Sequence, residues 1–294
     1  MTQDQAFKAV KTSRLATYLS FVRFSHSVFA LPFALTGALL AWRTEPFSWA
    51  QVGWIVVCMV SARSAAMGFN RVVDARFDAL NPRTAMRELP RGAMTQSEGV
   101  AFVLVASAIF LFAATRLGWV CGLLAPVALA IVFWYSLAKR VTAYTQLFLG
   151  LAMAVAPVGG WLAAGGGPGA EPWLLGLAIG LWVGGFDILY ACQDVDFDRG
   201  HGLRSIPTRY GVASAITISR LMHVATVGVM AALGVAAGLP ALYFGGVLFV
   251  AALLVYEQSL VSASDLSQVK RAFDLNGYVG IVYLASTALA LYVG

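Results

Sequence analysis

The sequence predicts an all-α, polytopic membrane protein with nine transmembrane helices, and three observations carry that expectation. The 294 residues are 60% hydrophobic and only 12% charged, with a mean hydropathy of +0.77. That leaves too little polar surface to cover a soluble core of this size. Apolar runs of about 20 residues, the length that crosses a bilayer, recur from end to end. Lys and Arg gather at every second connection, as the positive-inside rule requires of a chain that crosses repeatedly.

The first run, 17–42, follows Lys8, Lys11 and Arg14 in the manner of a signal peptide. It is longer than a signal h-region, lacks a convincing cleavage site and precedes many further runs, so it reads as a retained helix. The second run, 50–69, leads into a polar stretch at 70–91. Runs at 98–116 and 118–137 follow and close on Lys139-Arg140, and 145–164 ends in the turn residues Gly165-Gly166-Gly167-Pro168. The run 173–192 opens into a second polar stretch, 213–237 ends at Gly238-Leu239-Pro240, and 240–257 and 273–293 complete the set. Cys58, Cys121 and Cys192 lie in or beside these runs without metal-ligand spacing and read as small buried apolar residues. A single domain over 1–294 is expected, in two weakly repeated halves with acidic motifs at 70–91 and 187–209.

Fifteen of the 20 Lys and Arg residues fall on one side of this arrangement. Only Arg43 and Arg116 fall on the other, while Arg23, Arg63 and Arg220 lie within runs. The expected protein therefore sits in a bacterial-type inner membrane, with its N-terminus and both acidic stretches cytoplasmic and its C-terminus outside. The net charge of +6 belongs to that one face, where it also attracts anionic membrane lipid. Nothing points to nucleic acid as a partner.

Topology does not explain the carboxylates. In NRVVDARFD, Asp74 and Asp78 are four apart, so a helix projects both from one face, with Asn70 one turn earlier. Magnesium prefers oxygen ligands and is commonly held by one or two carboxylates plus substrate phosphates. Arg83 and Arg87, again four apart, suit phosphate oxygens. Alone, this stretch also reads as a solvated, salt-bridged loop. The second stretch, YACQDVDFDRGHGLRS, repeats the spacing in Asp194 and Asp198, adds Gln193 and Asp196, and supplies Arg199 and Arg204. Two metal sites sharing one diphosphate would stabilise it as a leaving group. A diphosphate site above a membrane cavity suits a lipid diphosphate, whose ionisation leaves a carbocation in need of dry, aromatic walls.

At these residues the sequence resembles the UbiA family of intramembrane aromatic prenyltransferases. NRVVDARFD keeps Asn70, Asp74 and Asp78, and NPRTAMRELPRG is similar to the family's next segment through Arg83, Thr84 and Arg87. FDILYACQDVDFD resembles the second motif through Asp187, Tyr190, Asp194 and Asp198, and YSLAKRVT the Lys-Arg turn through Lys139 and Arg140. The resemblance implies nine helices around a central cavity with cytoplasmic cap loops. It implies magnesium held by Asn70, Asp74, Asp78, Asp194 and Asp198, and a polyprenyl diphosphate contacted by Arg83, Arg87, Lys139 and Arg204. It implies transfer of the prenyl group to a small aromatic acceptor in quinone biosynthesis, with Asp187 polarising the acceptor hydroxyl and Arg140 pairing with its carboxylate. One departure stands out: the position after Asn70, usually aspartate in the family, is Arg71. The Asn-Arg opening and RFSHSVFALPFA look like a subgroup of 4-hydroxybenzoate-type enzymes, some of which prenylate 1,4-dihydroxy-6-naphthoate for menaquinone.

Two other classes compete. CDP-alcohol phosphotransferases need an Asp-Gly-x-x-Ala-Arg core, whereas Asp78 is followed by Ala79-Leu80. A secondary transporter would place its carboxylates near the bilayer midplane, not at one surface beside arginines.

Overall fold

The computed structural model describes residues 14–22 and 30–293, all helices, turns and loops apart from one isolated bridge between Ser262 and Asp265. A short α1 (Arg14–Phe21) and α2 (Leu31–Ala41) precede two long hairpins, α3 (Trp49–Leu80) with α4 (Gln96–Arg116) and α5 (Trp119–Ala138) with α6 (Thr145–Ala163). Then come α7 (Glu171–Ala191), the short α8 (Val195–Gly200) and α9 (Ile206–Tyr210), and α10 (Val212–Ala236), α11 (Ala241–Ser259) and α12 (Val269–Tyr292).

Among the described residues, 8 helices are long and apolar enough to cross a membrane. The expected first span, 17–42, is described only in part: its start overlaps the 8-residue α1, its end holds the 11-residue α2, and 23–29 lie outside the described residues. Arg23 and most of the RFSHSVFALPFA stretch fall in that segment. Large apolar side chains such as Leu104, Leu123, Val224, Leu248 and Val255 stand exposed on the outer surface, where a bilayer replaces water. Trp49, Trp119 and Trp173 are exposed at the starts of α3, α5 and α7, and Tyr292 at the end of α12. These residues form an aromatic belt at the end away from the acidic motifs.

Close helix contacts rest on missing side chains. A Cβ on Gly160 of α6 would run into the Ala34 carbonyl of α2, and one on Gly37 of α2 into the Pro157 carbonyl of α6. Without a water-driven force between helices in lipid, such backbone approach supplies much of the packing energy. The main core gathers around Trp182, Phe33, Tyr243 and Tyr283, all with no exposed surface.

Candidate active site

α3 does not stop where its apolar run ends. No Gly or Pro interrupts residues 69–80, and the helix continues until Asn81, which the following Pro82 holds extended at φ −92°, ψ 117°. Asn70, Asp74 and Asp78 therefore stand on one face of a 32-residue helix, as their spacing predicts, and the loop begins only beyond them. The turn beyond folds back. Asn81 Oδ1 accepts from the Arg83 amide at 2.9 Å, and Thr84 Oγ1 donates to the Asp78 carbonyl at 3.0 Å. This returns Arg83 and Arg87 towards the carboxylates.

Each carboxylate has taken basic partners. Arg87 Nη1 lies 2.7 and 2.8 Å from the two Asp78 oxygens. Asp74, 3% exposed, accepts from Lys139 Nζ at 2.6 Å and Arg140 Nη2 at 3.1 Å. Asn70 Nδ2 reaches Asp74 at 3.2 Å and the buried Ser136 hydroxyl at 3.4 Å. Lys139 and Arg140 come from the turn closing α5, so the end of α5 is fastened to α3 at Asp74.

The second motif is built differently. α7 tightens into a 3₁₀ turn over Cys192–Asp194 before α8, which sets Asp194 at the cap and Asp198 one turn on. Arg83 binds Asp194 with two nitrogens, Nε at 3.1 Å and Nη2 at 2.7 Å, and gives Nη1 to the Tyr190 hydroxyl at 2.9 Å. Burial works against the Arg83 charge, but Asp194 and Tyr190 outweigh it and lift its affinity for its proton above the ordinary arginine value. Asp198 accepts no side-chain hydrogen bond among the described residues and lies within electrostatic reach of Asp194, Lys139, Arg83 and Asp74. Asp187 is within such reach of Asp194 and of Tyr135. The motifs thus close on each other across 111 residues of sequence.

Two expected participants sit otherwise. Arg140 also donates to the Val73 carbonyl at 2.6 Å and lies over the Phe77 ring, so it is fastened to α3. Arg204 turns to the Val141 carbonyl at 2.7 Å and, with Thr208 and Arg209, lines a separate cavity of about 370 Å³.

Among the described residues, no three His, Cys, Asp or Glu side chains converge as a ready metal cage. The cause is visible: Asp74, Asp78 and Asp194 are drawn onto Lys and Arg. The donor chemistry still fits magnesium, since every ligand on offer is a carboxylate or amide oxygen and Asp198 carries no cation of its own.

Beneath the motifs lies an apolar cavity of about 630 Å³, walled mainly by α3, α5, α6 and α7. Its lining residues Leu124, Val127, Leu147, Leu151 and Leu177 are exposed, so it opens sideways onto the lipid-facing surface. Arg63 is the one charged residue among the described residues that line it, and its Nε has no hydrogen-bond partner there. Tyr135, also on the wall, is within electrostatic reach of Arg63, Asp187 and Asp74. Arg63 and Tyr135 thus link cavity and carboxylates. Sequence alone places Arg63 within an apolar run and gives it no role. An ionisable residue inside a membrane run was the available signal.

The profile of the UbiA prenyltransferase family matches residues 30–285. The chain belongs to this family. A 4-hydroxybenzoate octaprenyltransferase of Citrobacter koseri is 32% identical over 245 residues, which cover 82% of this chain and 84% of the relative. A UbiA homolog from Aeropyrum pernix K1, in its apo structure, matches with a TM-score of 0.82 at 37% identity, over 89% of this chain and 96% of that one. A UbiA homolog from Archaeoglobus fulgidus bound to GPP and Mg2+ matches with a TM-score of 0.71, over 94% and 99%, at 17% identity that speaks to fold alone. The chain is therefore a membrane-embedded prenyltransferase of the UbiA type. Its departure from the family motif, Arg71, is 4% exposed on the α3 face shared with Asp74 and Asp78.

Proposed function

We propose that the protein transfers a polyprenyl group from its diphosphate to an aromatic hydroxy acid of the 4-hydroxybenzoate type, with magnesium. The observation that carries this reading is the closure of two acidic motifs, through Arg83 and Asp194, over an apolar cavity that opens to lipid. The 4-hydroxybenzoate octaprenyltransferase relative and the GPP- and Mg2+-bound neighbour support the substrates and the metal. We take α2 as the core of a ninth crossing, with the motifs and the N-terminus cytoplasmic, from the distribution of Lys and Arg.

Magnesium held by Asp74, Asp78, Asp194 and Asp198, with Asn70, would neutralise the diphosphate and make it a better leaving group. Arg83, Arg87 and Lys139, exchanged from their carboxylates, bind the phosphate oxygens. The prenyl chain lies in the cavity, whose walls keep water from the allylic cation left when the carbon–oxygen bond breaks. Arg63, rather than the fastened Arg140, pairs with the acceptor carboxylate. The ring carbon beside the phenolic hydroxyl then attacks, and Asp187 accepts the hydroxyl hydrogen bond that raises electron density on the ring. Proton loss restores aromaticity.

The test is product formation by purified protein with magnesium and a long-chain prenyl diphosphate, offered 4-hydroxybenzoate and 1,4-dihydroxy-6-naphthoate in parallel. Product from the first assigns the hydroxybenzoate reaction. Product from the second alone moves the enzyme to menaquinone synthesis, and product from neither defeats the aromatic-acid reading.

A further inference from the structure

Three arginines of the region after the second motif, Arg199, Arg204 and Arg209, make no ion pair among the described residues. Arg199 donates to the Thr208 carbonyl at 3.5 Å and Arg204 to the Val141 carbonyl at 2.7 Å. The Arg209 guanidinium lies over two aromatic rings, 5.5 Å from the centre of Tyr144 and 5.2 Å from that of Tyr210. The two hydroxyls of those tyrosines bond to each other at 2.7 Å, which ties α9 to the start of α6. Arg204 and Arg209, with Val141, Thr142, Ala143 and Thr208, enclose the cavity of about 370 Å³. The neighbouring cations Lys139 and Arg140 are engaged by Asp74, whereas Arg204, whose amide donates to the Lys139 carbonyl at 2.8 Å, pairs with no carboxylate among the described residues.

Its position selects an occupant. The cavity lies between the turn from α5 to α6 and the segment of Arg204, Thr208 and Arg209, at the ends of apolar helices long enough to cross a membrane. Val141 is 57% exposed beside it and Leu147 44% exposed one turn further down α6, on the face that meets lipid. Tyrosines with an apolar body and a polar tip are suited to that interface. A basic pocket, one of whose arginines lies against two tyrosines, just before a helix with exposed apolar side chains suits a phosphate whose own tail runs down that helix.

We propose that this pocket is a binding site for the phosphate of an anionic phospholipid headgroup, separate from the prenyl diphosphate site. Arg204 and Arg209 hold the phosphate oxygens, the two tyrosines fix Arg209, and the acyl chains follow α6 beside the cavity opening at Leu147 and Leu151. The inference reads lipid retention and not turnover, so it stands or falls apart from the prenyl-transfer reading.

The experiment is native mass spectrometry of the full-length protein, titrated with phosphatidylglycerol or with phosphatidylcholine. The wild type is expected to retain one phosphatidylglycerol in preference to phosphatidylcholine, with retention falling as salt rises. Arg209→Gln is expected to weaken that retention about fivefold, and Tyr210→Leu to do so in the same direction. Arg116→Gln, on the opposite side of the membrane, is expected to leave it unchanged. Equal retention of the two lipids by the wild type, or undiminished retention by Arg209→Gln, overturns the proposal. So does displacement of the lipid by inorganic phosphate, which would make the pocket a site for free phosphate. Should Arg209→Gln fail to fold, the lipid preference and phosphate competition of the wild type decide the matter.

Discussion

Arg83 grips Asp194 with two nitrogens, at 3.1 and 2.7 Å, and so joins the turn after α3 to the turn after α7. A planar guanidinium facing a carboxylate in this way fixes orientation as well as charge, which an ammonium cannot do. The side chains are 37% and 19% exposed, so solvent screening limits the pair to about 1 kcal/mol of stability or less. Its weight lies in function. Arg83→Lys is expected to leave thermal unfolding in detergent nearly unchanged while cutting kcat/KM by about a hundredfold, the scale of one lost oriented donor to developing charge. Equal activity of Arg83→Lys and wild type would show that the fork is not used.

Asp74 is the more buried partner and holds two cations, Lys139 and Arg140. Asp74→Ala strands both and opens the contact between α3 and the α5–α6 turn. Loss of about 3 kcal/mol is expected, in the range for breaking a buried pair, together with loss of measurable transfer. Asp74→Asn, which keeps the shape but not the charge, separates the effects: a smaller loss of stability than Asp74→Ala, with transfer still abolished. Substantial turnover by Asp74→Asn would remove Asp74 from the metal set.

The same pairing governs how metal and substrate load. Asp74, Asp78 and Asp194 carry Lys or Arg partners, so magnesium alone must compete with fixed cations, and a diphosphate alone must compete with fixed carboxylates. Together the two exchange partners, and every charge is satisfied. In thermal-shift measurements, magnesium alone and prenyl diphosphate with chelator should each raise the unfolding temperature little. The combination should raise it by more than the sum. Additive shifts would rule out the exchange.

Two adjacent glycines on α6 give a packing test. A Cβ at Gly160 meets the Ala34 carbonyl, a backbone atom that cannot turn aside, whereas at Gly159 nothing lies within 4 Å. Gly160→Ala is expected to destabilise by about 1–3 kcal/mol through overpacking. Gly159→Ala is expected to be neutral or stabilising, since alanine is the better helix former. Unfolding temperatures of the two variants compare them directly.

Much of this was legible in the sequence, for identifiable reasons. The long spans announce themselves because lipid tolerates little but apolar side chains over about 20 residues. The motif carboxylates do so because charge at the end of such a run is costly without purpose. The spacing of Asp74 and Asp78 asks for a helix, but hydropathy falls off at Asn70 and does not show that this helix is α3 itself, running on to the Asn81-Pro82 stop. Which cation meets which carboxylate is a matter of tertiary geometry: Arg83 and Asp194 belong to different motifs, and no local spacing pairs them. The resemblance places Arg204 with the diphosphate cations, but sequence spacing does not show that its guanidinium turns to the Val141 carbonyl while its amide meets the Lys139 carbonyl.

Arg63 offers the sharpest separation of the two substrates. It lies on the wall of an apolar cavity with an unpartnered Nε, a costly arrangement unless something anionic meets it during the reaction cycle. An aromatic acid supplies that anion, and a prenyl chain does not. Arg63→Met, similar in reach and free of charge, should therefore raise KM for the aromatic acid by about tenfold or more, as expected for a lost charge-assisted contact. KM for the prenyl diphosphate, bound by Arg83, Arg87 and Lys139, should change little. The unfolding temperature should hold or rise, because a buried cation has been removed. A matched rise in both KM values would instead mark Arg63 as a support of the whole cavity. A rise confined to the diphosphate would move Arg63 into the phosphate group and return the acceptor carboxylate to Arg140.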